Sequence, residues 1–210
     1  MLALSSYNHK FAYRMNVAII KYNAGNIYSV DYALKRLGVT ATVTSDPTLL
    51  RQADKIIFPG VGEAGTTMQH LRETGLDLLI PSLKQPVLGI CLGMQLLCNH
   101  SEEGNVDCLG IFDTEVKQFI AQRHEDKIPH MGWNTISDLK SELFTAEQLD
   151  KFVYFVHSYY VPVNAHTVAT TDYIQPFSAA LCKDNFYATQ FHPEKSGSVG
   201  EAILSNFLKL

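Results

Sequence analysis

This sequence has little charge and no concentration of it. Asp, Glu, Lys and Arg make up 18% of 210 residues, the formal net charge is −4, and no basic run occurs. That argues against a protein held to nucleic acid through the phosphate backbone. No apolar run reaches the ~20 residues that a bilayer-spanning helix requires, so no membrane association is expected. The first 14 residues lack the apolar stretch and the small-residue cleavage site of a signal peptide. The four cysteines, Cys91, Cys98, Cys108 and Cys182, form no CxxC pair. Without an export signal that pattern argues against a disulfide framework and points to a reducing, cytoplasmic compartment. His and Cys are not clustered at metal-ligand spacing, so neither a metal nor another cofactor is expected.

Apolar residues account for 46% of the chain, enough for a sizeable core. The length suits one domain. Met15 directly precedes a clear strand, so residues 15–210 read as the domain and residues 1–14 as an extension, a loose tail or else a short ordered arm. The first half alternates strands ("NVAII", "VTATVT", "DKIIF", "PVLGI") with helices at 27–38, 64–74 and 76–83. Asp46 and Pro47 have the residue types of a helix start. Alternation of this kind implies an α/β fold, with a mostly parallel central sheet flanked by helices. The second half is richer in strands, at 113–119, 151–162, 166–172, 177–184 and 185–191, which suggests an antiparallel extension returning to the central sheet. A helix over 198–210 closes the chain, with Ser198 and Glu201 at capping-box spacing. No internal repeat and no low-complexity linker interrupts it.

Three features map to the carboxyl ends of strands, where open α/β sheets bind ligands. Cys91 stands at a strand-to-helix junction in "VLGICLGMQLL", with Gly89 and Gly93 on either side. A sharp elbow there would raise the thiol above the sheet, next to a helix N-terminus that favours thiolate, with the Leu92 N–H as an oxyanion donor. Taken alone, Cys91 reads equally well as a small core residue. "PGVG" at 59–62 follows a strand, and its glycines allow close backbone approach; alone it reads more readily as an ordinary turn. "QFHPEKSG" at 190–197 places His192 and Glu194 on one side of an extended segment, roughly 6.5 Å apart at Cα. Glu194 can then orient the imidazole as the third member of a triad. A surface His–Glu pair is the plainer alternative. His157 in "FVHSYY" is the main competing base, but it has no acid nearby in sequence.

Together "GICLGMQ" and "HPEKSG" resemble the class I, or triad, glutamine amidotransferases. "PGVG", "PHMGWN", "FVHSYY" and "ATQFHPEKSG" are similar to the branch that supplies the glutaminase subunits of imidazole glycerol phosphate synthases, from about Asn16 onward. The resemblance implies a single-domain, flavodoxin-like fold. It implies that Cys91, His192 and Glu194 hydrolyse glutamine, with an oxyanion hole formed by Val61 and Leu92 and shaped by Gly60 and Gly62. It assigns glutamine binding to Gln95, Glu103, Ser158 and Tyr159; without it, Gln95 and Glu103 read as exposed helix decoration. It supplies a partner, a (β/α)₈-barrel cyclase subunit in a heterodimer. That partner takes the ammonia to make imidazole glycerol phosphate and aminoimidazole carboxamide ribotide in histidine biosynthesis. Met131, Trp133, Tyr154, Lys195 and Asn26 match the docking face, with Trp133 in a loop. It also implies low activity of the chain in isolation, raised by the partner's ligand. Two departures stand out: Glu63-Ala64 after "PGVG", and "KYNAGN" where a "DYG"-type segment is usual.

Overall fold

The computed structural model describes residues 15–22, 27–60 and 62–210. Expectations for residues 1–14, Asn26 and Val61 lie outside the described residues.

The strands of the first half are β1 (Val17–Ile20), β2 (Ala41–Thr44), β3 (Lys55–Gly60) and β4 (Val87–Cys91). Successive side chains of a strand point to opposite faces, and in β1, β3 and β4 both faces are buried. Val17 and Ile19 of β1 join one core cluster, while Ala18 and Ile20 join the other. β3 divides likewise, with Ile57 on one side and Ile56 and Phe58 on the other. The helices follow suit. α2 (Pro47–Gln52), α3 (Ala64–Thr74), α4 (Leu76–Ser82) and the short α5 (Leu92–Leu96) cover one face. α1 (Ile27–Arg36) and the C-terminal α6 (Gly197–Lys209) cover the other.

The second half contributes β5 (Cys98–Ser101), β6 (Val106–Asp107), β7 (Phe112–Gln118), β8 (His130–Thr135), β9 (Phe152–His157), β10 (Tyr159–Tyr160), β11 (Thr167–Tyr173), β12 (Gln175–Lys183) and β13 (Phe186–Thr189). Among the described residues, the central sheet has seven strands in the order β11-β12-β13-β4-β3-β1-β2. β2, β1, β3, β4 and β13 run parallel, and β12 and β11 continue the sheet antiparallel. The expected extension and return are therefore both present. A four-stranded sheet, β10-β7-β5-β6, and the β8–β9 hairpin stand apart from it.

Several local expectations are corrected. Residues 151–162 do not form one strand: the chain breaks at Ser158, so that β9 pairs with β8 and β10 with β7. The "MGW" segment is strand β8 rather than a loop. β5 and β6 carry no alternating apolar signal, being short and polar, so only their tertiary pairing makes them strands. Cys98 is buried, whereas Cys182 is only partly covered. The last helix begins at Gly197, and Ser198 lies inside it. Its N-cap, Ser196, makes no side-chain cap bond, because Ser196 Oγ donates to the His192 carbonyl at 2.6 Å and accepts from Tyr154 N–H at 3.0 Å. Asp46 does cap α2, accepting from the Thr48 and Leu49 N–H groups.

The most constrained contact in the sheet is where β3 passes the start of α5. A Cβ on Gly93 would lie 2.0 Å from the Phe58 carbonyl oxygen, and one on Gly60 would lie 2.3 Å from Gly93 N. Both obstacles are backbone, which cannot rotate aside. Gly93→Ala is therefore expected to cost about 3 kcal/mol or more, lowering Tm by ~6–12 °C in a chain of this size. Thermal unfolding followed by circular dichroism tests this; an unchanged Tm would contradict the packing described.

Candidate active site

Cys91 ends β4 with φ 53° and ψ −110°, outside the regions ordinary side chains prefer. Such a conformation costs on the order of 1–3 kcal/mol and persists only where surrounding structure enforces it. Here β3 on one side and α5 on the other enforce it. The residue is buried, at 8% exposure. Its Sγ lies 3.8 Å from the Val156 carbonyl oxygen and 3.7 Å from Gln190 Nε2. α5 is only five residues long, so its dipole is smaller than the expected helix would supply.

His192 leaves β13 in an extended conformation, with φ −96° and ψ 95°, but Pro193–Lys195 coil into one turn of 3₁₀ helix. The extended "HPE" segment is thus corrected: the pair meets across a tight turn instead. His192 Nδ1 donates to Glu194 Oε1 at 2.8 Å, with both side chains buried. His192 Nε2 and Glu194 Oε2 make no hydrogen bond among the described residues. Burial pushes the imidazole pKa down. The Cys91 sulfur facing it and the Glu194 carboxylate push it up, and they prevail, to about 10. The arrangement therefore favours an imidazolium beside sulfur.

The thiol and imidazole open onto a cavity of about 380 Å³. Leu92, Gly62, Gln95 and Glu103 line it, together with Ser158 and Tyr159 at the break between β9 and β10. All four residues expected to bind glutamine thus share one cavity with Cys91. Neither Gln95 nor Glu103 is helix decoration. Gln95 is buried, and its Nε2 donates to the Tyr159 carbonyl and to Gln190 Oε1, each at 3.0 Å. Glu103 sits in the turn between β5 and β6, where its Oε2 accepts from Ala64 N–H at 2.9 Å. Burial raises the Glu103 carboxyl, and that hydrogen bond partly offsets the rise.

The glycine loop divides its labour. Gly60 serves backbone packing against α5, whereas Gly62 has φ 122° and lines the cavity. Glu63 serves the structure: its carboxylate caps α3, accepting from the Gly65 and Thr66 N–H groups at 2.7 Å each. Those bonds, with Thr66 N–H foremost, hold its pKa below the ordinary value. The departure at this position is a helix cap, with its charge directed to the α3 N-terminus.

His157 cannot serve as the base in this geometry. The Tyr159 carbonyl only accepts, so His157 Nδ1 carries the proton it receives at 2.7 Å. Its Nε2 must then accept from His130 Nδ1, 3.1 Å away. Burial lowers His157 to about 3 and His130 to about 4, keeping both neutral. Residues matched to a docking face alternate with this pair along the same two strands. Met131 and Trp133 are exposed on β8, and Trp133 meets Tyr154 of β9 edge-on at 5.9 Å. The Lys195 ammonium lies 5.8 Å over the Tyr154 ring. The Tyr154 carbonyl accepts from His192 N–H at 2.9 Å, tying this surface to the imidazole.

Sequence reasoning missed Gln190, His130 and Phe152. Gln190 and His130 are buried polar residues whose partners are remote in the chain. Phe152 is exposed beside Trp133's hairpin, and nothing in its local pattern distinguishes it from a core residue. Among the described residues, no group of three or more His, Cys, Asp or Glu could hold a metal ion, and no helix is long and apolar enough to cross a membrane.

A thiol on a strained elbow at the end of a parallel strand, facing a buried His–Glu pair, is the architecture of a class of amide-cleaving enzymes. The family model described as glutamine amidotransferase class-I matches residues 18–210, and the chain belongs to that family. It is 73% identical to the imidazole glycerol phosphate synthase subunit HisH of Bacteroides fragilis over 196 residues, covering 93% of this chain and all of that protein. It is 48% identical to the HisH subunit of Pectobacterium atrosepticum over 198 residues, again covering 93% of this chain and all of the relative. Within the class, this chain belongs with the HisH subunits. A chain in the structure of PurLQS from Thermotoga maritima shares the fold, with TM-score 0.66 and 15% identity, covering 93% of this chain and 98% of that one.

Because its folded pKa is raised, His192 contributes stability that is fully present below the unfolded value of ~6.5 and is lost as pH rises through about 10. Glu194→Gln weakens the effect that raises it. The Tm difference between wild type and this variant should therefore be largest near pH 6 and shrink steadily toward pH 10. Calorimetry across that range checks the sign; a difference that grows with pH would contradict the assignment.

Proposed function

We propose that this chain hydrolyses glutamine to glutamate and ammonia, and hands the ammonia to a cyclase subunit that forms imidazole glycerol phosphate and aminoimidazole carboxamide ribotide in histidine biosynthesis. The observation that carries the reading is the meeting of Cys91 with the remote His192–Glu194 pair at one cavity edge.

In this mechanism the Cys91 thiolate attacks the glutamine carboxamide carbon. The carbonyl π electrons move to oxygen, and the resulting oxyanion is met by backbone N–H groups at Leu92 and at the Gly60–Gly62 loop. In the family, the loop donor is the residue at Val61. Collapse breaks the C–N bond as the His192 imidazolium protonates the leaving nitrogen, leaving a thioester and ammonia. His192, now neutral, removes a proton from water, which attacks the thioester; glutamate departs, and the thiolate and imidazolium are regenerated. Glu194 holds the ring in the tautomer that directs Nε2 to the reaction. Glu103 faces the substrate ammonium, while the Ser158–Tyr159 backbone receives the α-carboxylate. Gln95 has both amide hydrogens engaged with protein, so its Oε1 is the atom left for substrate.

Ammonia released into neutral water becomes mostly ammonium, which is not nucleophilic, so a sealed path to the second site is required. The β8–β9 hairpin, with exposed Met131, Trp133 and Phe152, supports docking of a partner, which we read as a (β/α)₈-barrel cyclase. The Tyr154 carbonyl bond to His192 and the position of Lys195 beside Glu194 support a route from docking to the catalytic side chains. Residues 15–210 form the catalytic domain.

A glutamine-analogue electrophile should label wild-type chain at Cys91 and leave Cys91→Ser unlabelled. Cys91→Ser should also lose glutaminase activity by ~10³-fold or more in the presence of the cyclase. Labelling at another cysteine would refute the nucleophile. Trp133→Ala should weaken cyclase binding by roughly 2 kcal/mol, about 30-fold in Kd, measured by titration calorimetry. Unchanged affinity would remove the hairpin from the interface.

A further inference from the structure

Gln190 follows β13 and is completely buried. Its backbone N–H donates to the Ala179 carbonyl, so its position is fixed by the sheet. Its side-chain orientation follows from a chain of donors that ends on an unambiguous acceptor. The Tyr159 carbonyl can only accept, so the Gln95 atom facing it is the amide nitrogen. That nitrogen has a second hydrogen, directed at Gln190, so Gln190 presents its oxygen there. The Gln190 amide nitrogen is thereby left facing the Cys91 sulfur at 3.7 Å.

We propose that Gln190 is a further catalytic residue of the amidotransferase reaction, donating its side-chain N–H to the Cys91 sulfur and favouring thiolate over thiol. This rests on Cys91 being the nucleophile.

The two contacts of the sulfur select opposite protonation states. A thiol can donate to the Val156 carbonyl at 3.8 Å; a thiolate is repelled by that oxygen and accepts from Gln190 instead. The other groups around the sulfur divide unevenly. His192, held by Glu194, approaches from the turn after β13 and stabilises the thiolate when protonated. Tyr22, just beyond β1, has its hydroxyl engaged with the Pro59 carbonyl. His157, from β9, is neutral and engaged at both ring nitrogens. The short α5 adds little dipole. Gln190 is therefore the neutral donor that joins the His192 imidazolium in holding charge on the sulfur before it attacks and again as the thioester expels it. Through Gln95, it also ties the sulfur to the Tyr159 backbone at the substrate wall.

Gln190→Met keeps the length and volume of the side chain but cannot donate. The intact chain, compared with its Cys91→Ser counterpart, reports the Cys91 thiolate by ultraviolet difference absorbance across pH. The midpoint in Gln190→Met should rise by about one pH unit, and kcat below the midpoint should fall ~10-fold with KM for glutamine little changed. A folded Gln190→Met protein with the wild-type midpoint would overturn the proposal. If that variant fails to fold, ¹⁵N-labelled wild type decides: the Gln190 side-chain amide proton should titrate with the Cys91 midpoint, and an insensitive resonance would overturn the proposal. Labelling of wild-type Cys91 by the glutamine-analogue electrophile, run in parallel, separates the two readings. Its failure removes the nucleophile and this role together, whereas labelling with an unshifted midpoint removes only the role of Gln190.

Discussion

The structure depends on one close backbone approach: the end of β3 lying against the first turn of α5, with glycine on both sides. Phe58 and Gly60 pass so near Gly93 that no side-chain carbon fits between them. That contact closes the β4–α5 turn tightly enough to hold Cys91 at a positive φ, which an isolated peptide would not maintain. It also sets the level at which the "PGVG" loop leaves the sheet. The nucleophile and the strand end from which that loop departs are thus fixed by the same packing.

Around that turn, the polar groups are arranged by burial rather than by sequence proximity. His192 and Glu194 are close in the chain, yet they form a functional pair because both are withdrawn from water, where a hydrogen bond between charged partners is strong. The two histidines of the β8–β9 hairpin show the reverse use of burial. They are linked to each other and to the Tyr159 carbonyl, and desolvation keeps them neutral. Neutral histidines in one fixed tautomer act as structural cross-links, holding the substrate wall against the surface hairpin.

That hairpin is where site and surface are joined. One edge of β9 carries Tyr154, whose ring packs with Trp133 and Lys195 at the exterior. The Tyr154 carbonyl accepts from the His192 backbone, and two residues further on the Val156 carbonyl faces the Cys91 sulfur. A displacement at the surface of this strand would be felt at both catalytic side chains within one or two residues, with no long relay.

Much of this could be read in the sequence because it is local. Alternating strand and helix, with apolar residues at both faces of β1 and β3, determined a parallel sheet covered on both sides. Residue types at helix starts determined the Asp46 cap, and the glycines around Cys91 and the "HPE" segment marked the chemistry. What only the tertiary structure decided is non-local. Polar β5 and β6 became strands by pairing, the 151–162 segment was divided between two sheets, and the Ser198 cap gave way to Ser196. Glu63, read as a departure near the site, became a helix cap. Gln190 and His130 acquired roles from partners far away in the chain: Gln95 and Cys91 for the one, His157 for the other. Local pattern reports which face of an element avoids water. It cannot report which buried polar groups will meet, because that depends on the distances set when separate elements pack.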